Sequence, residues 1–276
     1  MLDLQAVLPT DTIKARLKKS VLLVTGGSSG MGKAVLDSME NFFPFAHKFN
    51  FDLDTGVDVT KVDQIKAGFG QIYDLNNLEE MYVFSNVGLE VFCRADGSPV
   101  NFLDEDYDIG HTISANLTSH LLVIREAVRF AKEKGLSKLN IVLNSSIAAY
   151  CIGGVAFGAY CAAKAGVSSI PRNLANLTLQ TGLDFDFIIN AIEPGSVRTN
   201  VGTRDFSGAY TQAGADFVRQ SQDADKELLG GKEVSLENIV NTILYLFFIN
   251  HAHRGDVFPI DLGLTKTTGA RELKPV

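Results

Sequence analysis

Continuous apolar runs recur along the chain, and amphipathic or mixed stretches separate them. The runs are SVLLVT (20–25), AHKFNFD (46–52), GVDV (56–59), EMYVFS (80–85), LNIVLNS (139–145), DFIINAIE (186–193) and DVFPIDL (256–262). Apolar runs of strand length predict strands buried on both faces, so these seven predict a seven-stranded, mostly parallel sheet. Stretches such as 107–135 supply helices between them. Right-handed crossovers then put helices on both faces, which makes a doubly wound α/β fold. No repeat, low-complexity segment or linker interrupts residues 1–276, which predicts a single domain with an N-terminal extension over 1–19. Ligands of such sheets sit at the carboxyl ends of the strands. The residues just after each run are therefore the candidates for chemistry.

Composition narrows the partners. The 276 residues carry a net charge of −7 and a pI near 5.3. An acidic chain of this kind is a poor grip for nucleic acid or an anionic membrane. The basic KARLKK stretch (14–19) reads as a solvated helical turn. The apolar stretch Ile239 to Ile249 is too short to span a bilayer. Residues 1–20 lack the apolar core of a signal peptide. Cys93, Cys151 and Cys161 show no disulfide-framework or metal spacing, which fits a reducing, cytoplasmic setting. His251 and His253, without a cysteine or acidic partner, give no metal site.

TGGSSGMGKAV (25–35) follows the first run and opens a helix. Glycines at 26, 30 and 32 allow a tight turn, close approach of backbone to a pyrophosphate, and helix N–H groups aimed at negative charge. A rival reading is the phosphate loop of nucleoside triphosphatases, G-x-x-x-x-G-K-[ST], over Gly27 to Ala34. Ala34 stands where the magnesium-binding hydroxyl should be, which weakens that reading. Asp52 ends the second run, 20 residues after Gly32. A carboxylate there accepts hydrogen bonds from ribose hydroxyls and repels a 2′-phosphate, which favours NAD over NADP. Asp54 is the alternative for that position.

Asn86 and Gly88 directly follow the fourth run, and Ser145 and Ser146 close the fifth. Asn116 lies inside a helical stretch, where asparagine competes for backbone hydrogen bonds. Tyr160 and Lys164 are four apart in AYCAAKAG and so share a helix face. An ammonium near a phenol favours phenolate, and the expected result is a Tyr160 pKa lowered toward neutrality, suited to proton transfer.

In this order, Thr25-Gly-Gly-Ser-Ser-Gly-Met-Gly32, Asp58-Val59, Asn86-Val-Gly88, Asn116, Ser146, Tyr160-Cys-Ala-Ala-Lys164 and Pro194-Gly195 with Thr199 resemble the short-chain dehydrogenases/reductases, over about Ser20 to Gly263. The resemblance implies a Rossmann fold and NAD(P)-dependent oxidoreduction of an alcohol or ketone. It implies that Gly26, Ser28, Ser29, Gly30, Met31 and Gly32 cradle the pyrophosphate. Asp52 takes the adenosine ribose, Asp58 and Val59 flank the adenine, and Asn86 and Gly88 border the cofactor. Pro194, Gly195, Val197 and Thr199 lie along the nicotinamide. Tyr160 is the implied general acid/base, Lys164 its partner at the nicotinamide ribose, Ser146 the holder of the substrate oxygen, and Asn116 the support of a proton relay. Homodimers or homotetramers are implied as well, with Tyr107–Gly135 and Gly158–Gln180 as candidate contact faces. Departures are Ser85 and Val87 in place of Asn and Ala, the extra residue between Ser146 and Tyr160, the unusual NFFPFAHK link before the second run, and Leu262 in the final Asp261-Leu-Gly263.

The substrate side is less explicit. Residues 196–231 follow the sixth run and are expected to form a lid, with Phe206, Tyr210 and Phe217 as apolar walls. Leu89 to Arg94 and Ile147 to Val155, including Gly153 and Gly154, are expected to line the pocket opposite. The inventory is mostly apolar and predicts a secondary alcohol or ketone on a largely apolar small molecule. Arg94 or Arg204 could anchor an anion, but both are expected to face solvent. The competing class is a catalytically silent NAD sensor or scaffold on the same fold.

Overall fold

The computed structural model of the protein describes residues 10–91, 93–94, 96, 98–150, 158–199, 210–228, 231–250 and 252–262. Six strands form one sheet among them: β1 (Ser20–Thr25), β2 (His47–Phe51), β3 (Glu80–Ser85), β4 (Lys138–Asn144), β5 (Asp186–Pro194) and β6 (Val257–Ile260). Every pairing is parallel, in the order β2-β1-β3-β4-β5-β6. The chain leaves β1 in one direction for β2 and reappears on its other side as β3. The crevice at this reversal, between the carboxyl ends of β1 and β3, is where ligands of open α/β sheets bind.

The seventh expected strand is absent. Residues 56–59 form no strand, because their backbone groups serve local turns. Gly56 has φ +81 and closes the 3-10 turn Leu53–Thr55. Asp58 N–H donates to Gln64 Oε1 at 2.7 Å, and Asp58 Oδ1 accepts from Thr60 N–H at 2.9 Å. Val57 and Val59 still pack into the core, which is what the apolar pattern of GVDV reports.

Alternation along the strands builds two apolar layers, as pleating requires. Val21, Leu23, Met81, Val83, Leu139 and Ile141 face one layer, under α3 (Val62–Tyr73), α5 (Ser119–Lys134) and α6 (Gly158–Leu174). Leu22, Val24, Tyr82, Phe84 and Val142 face the other, under α2 (Gly30–Phe42) and α9 (Leu236–Leu244). The N-terminal helix α1 (Asp11–Leu17) is more than a solvated turn. It buries Leu17, and Arg16 reaches Glu80 at 3.1 Å and Tyr82 Oη at 3.0 Å.

The stretch 107–135 is broken helix. Helix α4 (Ile109–Ile113) runs into a π-helical turn, Ser114–Thr118, and then into α5, which Gly135 ends in the left-handed conformation. Asn116 is fully buried in that π turn. Its Nδ2 donates to the Thr112 carbonyl at 2.9 Å, the kind of side-chain insertion that widens a helix. The remaining helices are α7 (Leu177–Thr181) and α8 (Gln212–Leu228). Among the described residues, no helix is long and apolar enough to cross a membrane.

Candidate active site

The loop after β1 is built for backbone approach. Gly26 (φ +69) and Gly30 (φ +55) occupy left-handed positions that disfavour side chains. A Cβ on Gly32 would lie 2.1 Å from the Gly26 carbonyl oxygen. Asn50 holds the loop from β2: its Oδ1 accepts from Gly27 N–H at 2.8 Å, and its Nδ2 donates to Ser28 Oγ at 3.0 Å. Ser29 precedes α2 but makes no side-chain cap, and the first turn has no acid. Uncapped N–H groups at the start of a 13-residue helix suit a pyrophosphate. Lys33 turns away to pair with Asp37 at 2.8 Å on the exposed face, so the triphosphatase reading also lacks its lysine. Met31 packs against the core beneath the loop.

Asp52 lies against this loop. Its Oδ2 accepts from Ser28 N–H at 3.2 Å and its Oδ1 from Asp54 N–H at 3.1 Å. Asp54 stands in the exposed turn beyond. The carboxylate of Asp58 is tied to Thr60, and Val59 buries its side chain, leaving only its backbone to border a ligand. Thr199 reaches the same place from the far side, since a Cβ on Gly30 would meet its Cβ at 3.4 Å. Gly195 is held by its N–H on the Ile260 carbonyl at 3.0 Å, directly after Pro194, and Val197 bridges to Val234.

Two asparagines join the crevice to the proton-handling groups. Asn86 N–H donates to Thr25 Oγ1 at 2.8 Å, and Asn86 Nδ2 to the Gly26 carbonyl at 3.2 Å. Asn144 Nδ2 donates to Asn86 Oδ1 at 3.0 Å, and the Asn144 carbonyl accepts from Lys164 Nζ at 2.9 Å. Gly88 leaves room for this: a Cβ there would lie 3.2 Å from Asn116 Oδ1 and 3.3 Å from Lys164 Nζ. The Asn116 amide is committed to the Leu89 backbone, accepting its N–H at 3.0 Å and donating to its carbonyl at 2.6 Å. Its side chain therefore positions residues 88–90.

Helix α6 presents Tyr160 and Lys164 together, with Lys164 Nζ 5.6 Å from the phenol ring centroid. Ser146 is the neighbour of Tyr160 whose side chain acts on the phenol and lowers its pKa. Ser145 instead donates to the Lys164 carbonyl at 2.8 Å and shares a hydrogen bond with Ser168 at 2.7 Å. The expected lowering of the Tyr160 pKa is not found. Burial, and then the negative charge of Glu90, push the phenol up, with Ser146 opposing them. Lys164 is itself buried, which pushes its ammonium down to about 8.

Behind Ser145, Ser168 Oγ donates to Glu193 at 2.6 Å. Burial and the charge of Asp261 push the Glu193 carboxyl up to about 7. The native state thus keeps a proton that the unfolded chain releases at an ordinary carboxyl pKa of about 4.5. Stability contributed here is full at low pH and is lost as pH rises through about 7. Glu193→Gln keeps the acceptor for Ser168 and is expected to flatten the fall in melting temperature between about pH 5 and pH 8. An unchanged slope in calorimetric scans would exclude Glu193 as its source.

The pocket wall departs from the apolar expectation. Glu90 is 4% exposed, and burial raises its carboxyl well above the ordinary range. Arg94 is spent inside its own loop, on Asp104 at 2.6 Å and Asp106 at 2.7 Å, and anchors no ligand. Tyr210 is 62% exposed, so it forms no apolar wall. Phe206, Arg204, Cys151, His251, Gly263 and the segment with Gly153 and Gly154 lie outside the described residues, as does the side chain of Phe217. His253 does have an acidic neighbour, Asp256 at 2.8 Å, but no cluster of three metal-binding side chains occurs among the described residues. Neither Cys93 nor Cys161 forms a disulfide.

Asn50, Thr25, Asn144 and Glu90 escape sequence reasoning. Each acts across strands far apart in the chain, and no local spacing marks them. Thr25, Asn50 and Asn144 carry one signal, as polar residues at or next to the end of a strand.

Comparison with known proteins gives one consistent result. Residues 52–208 match the family model described as short chain dehydrogenase. Secoisolariciresinol dehydrogenase of Forsythia intermedia is 27% identical over 255 residues, 85% of this chain and 84% of that protein. A short chain dehydrogenase of Leptospira borgpetersenii with bound NAD+ has a TM-score of 0.68 at 18% identity, covering 93% of this chain and 97% of that one. ElxO with NADP bound has a TM-score of 0.66 at 18% identity, covering 90% of this chain and 99% of that one.

Proposed function

The chain belongs to the short-chain dehydrogenases, oxidoreductases of alcohols and ketones, and on that premise we propose that it interconverts a secondary alcohol and a ketone on a largely apolar small molecule, with NAD as cofactor. The observation that carries this reading is the juxtaposition on α6 of Tyr160 and Lys164, whose Nζ lies 5.6 Å from the phenol ring centroid, with Ser146 just past the carboxyl end of β4. Bound nicotinamide supplies or accepts the hydride. The chain's own work is binding, orientation and proton transfer.

Gly26, Ser28, Ser29, Gly30, Met31 and Gly32 hold the pyrophosphate, Asp52 the ribose, and Asp58 and Val59 the adenine side. Asn86, Gly88, Pro194, Gly195, Val197 and Thr199 complete the cradle. Tyr160 Oη holds the proton that passes to the ketone oxygen in reduction and takes one from the carbinol in oxidation. Ser146 Oγ orients that oxygen and stabilises its developing charge. Lys164 Nζ, steadied by the Asn144 carbonyl, offsets the negative charge that develops on the Tyr160 oxygen and would bind the nicotinamide ribose. The small apolar cluster of Val91, Val100, Tyr107 and Ala159, with Leu89 and Ile113 against it, supports an apolar substrate frame. Exposed Ile109, Leu121 and Leu179 support assembly into a homodimer or homotetramer through the α4–α5 and α6–α7 faces.

Calorimetry with NADH and NADPH side by side tests the cofactor assignment. Tight NADH with weak NADPH supports it, and binding of neither removes the cofactor reading. Asp52→Ser is expected to narrow the NADH-to-NADPH affinity ratio about tenfold, the scale of one hydrogen bond to a charged group. A ratio that does not move transfers the role to Asp54.

A further inference from the structure

Glu90 has no structural employment. It is 4% exposed, yet its carboxyl makes no hydrogen bond or ion pair with any described residue. Buried polar groups are nearly always partnered, and a buried acid without a partner costs stability. Its electrostatic neighbours are the reacting groups themselves: Lys164 acts on it, and it acts on Tyr160 and Tyr107. Each has other neighbours: Lys164 donates to the Asn144 carbonyl, Tyr160 stands beside Ser146, and Tyr107 beside Thr112 and the Ala159 backbone. Nor can Glu90 drift easily to a new partner. The backbone of Leu89 is gripped on both its N–H and its carbonyl by the Asn116 amide, and Gly88 is wedged against Lys164 Nζ.

We propose that Glu90 is a specificity residue of the active site and accepts a hydrogen bond from a second hydroxyl of the substrate. This rests on the oxidoreductase reading above and narrows its substrate class to hydroxy ketones and the corresponding diols on an otherwise apolar frame. Charge disfavours the alternatives. A substrate carboxylate or phosphate would meet Glu90, and a substrate ammonium would meet Lys164. A neutral hydroxyl satisfies a carboxyl in either protonation state, as donor to the carboxylate or to the carbonyl oxygen of the acid. A site built to bond a hydroxyl discriminates strongly against the analogue that lacks it, because its polar group is then left unpaired.

The test compares matched pairs with the full chain: cyclohexanol against cyclohexane-1,2-diol, and butan-2-ol against butane-2,3-diol, oxidised with NAD. The wild type is expected to favour the diols in kcat/KM by about tenfold or more. Glu90→Leu is expected to collapse that ratio by about the same factor. Glu90→Gln, which keeps shape and an acceptor oxygen, is expected to retain part of it and stands in if the leucine variant does not fold. A diol-to-monoalcohol ratio near one in the wild type, or one that neither variant moves, overturns the proposal. Calorimetric titration of the NADH-bound protein with the same compounds separates the two readings. Diol binding that Glu90→Leu weakens, without turnover of any alcohol, keeps the Glu90 contact and removes the oxidoreductase reading. Turnover of monoalcohols alone does the reverse, and no diol binding with no turnover overturns both.

Discussion

Tyr160→Phe is expected to lower kcat about 10²–10⁴-fold while NADH affinity stays within a few-fold of wild type. The change removes one oxygen from a side chain whose ring stays in place on α6. What is lost is the proton at Oη and the oxygen that stands beside Ser146. The proposed nucleotide contacts lie on the glycine loop and Asp52, whose hydrogen bonds do not include Tyr160. Stopped-flow turnover and calorimetry on the same sample check the two halves. Unchanged turnover would assign the proton to another group. Retention of a biological effect without turnover would favour a nucleotide sensor. The raised phenol pKa adds a direction to this experiment. Burial and the charge of Glu90 favour the protonated phenol, ready to donate and unready to accept. Oxidation of an alcohol needs the phenolate, so its rate is expected to climb with pH, while reduction needs the phenol and is expected to fall.

Gly32→Ala is expected to abolish measurable NADH binding and to lower the melting temperature by several degrees. The added Cβ would sit 2.1 Å from a backbone oxygen, that of Gly26, and 2.7 Å from Asn86 Nδ2. Neither is the free end of a flexible chain. Overpacking of this kind costs about 1–3 kcal/mol or more, each kcal/mol being worth about 2–4 °C in a chain of this size. The loop must shift, and with it the N–H groups at the start of α2. Calorimetric titration and thermal scans read both effects. Normal NADH affinity in a fully folded Gly32→Ala protein would refute the placement of the pyrophosphate on this loop.

Sequence pattern and structure agree where local information suffices. SVLLVT and EMYVFS coincide with β1 and β3 because a strand buried on both faces writes itself as an uninterrupted apolar run. GVDV has the same apolar look for another reason: Val57 and Val59 enter the core from a turn, and periodicity alone does not separate the two cases. The Tyr160–Lys164 spacing reveals that the two side chains meet, but their protonation depends on burial and on Glu90, 70 positions away in the chain. Glu90 itself lies in VGLEVF, where nothing marks it as different from a solvent-facing acid. Its neighbours Lys164, Tyr160 and Tyr107 lie far from it or from one another in the chain, and only the fold brings them together.

The asparagine strut from Gly26 through Asn86 and Asn144 to Lys164 divides the molecule in a way that matters for retooling it. Everything on the strut is shared between the nucleotide floor and the proton machinery, so no residue there can be altered for one purpose alone. Asp52 and Glu90 make none of its hydrogen bonds. On the proposed reading, nucleotide choice is therefore adjustable through Asp52 with the strut left whole, whereas a change at Glu90 also shifts the proton affinity of Tyr160.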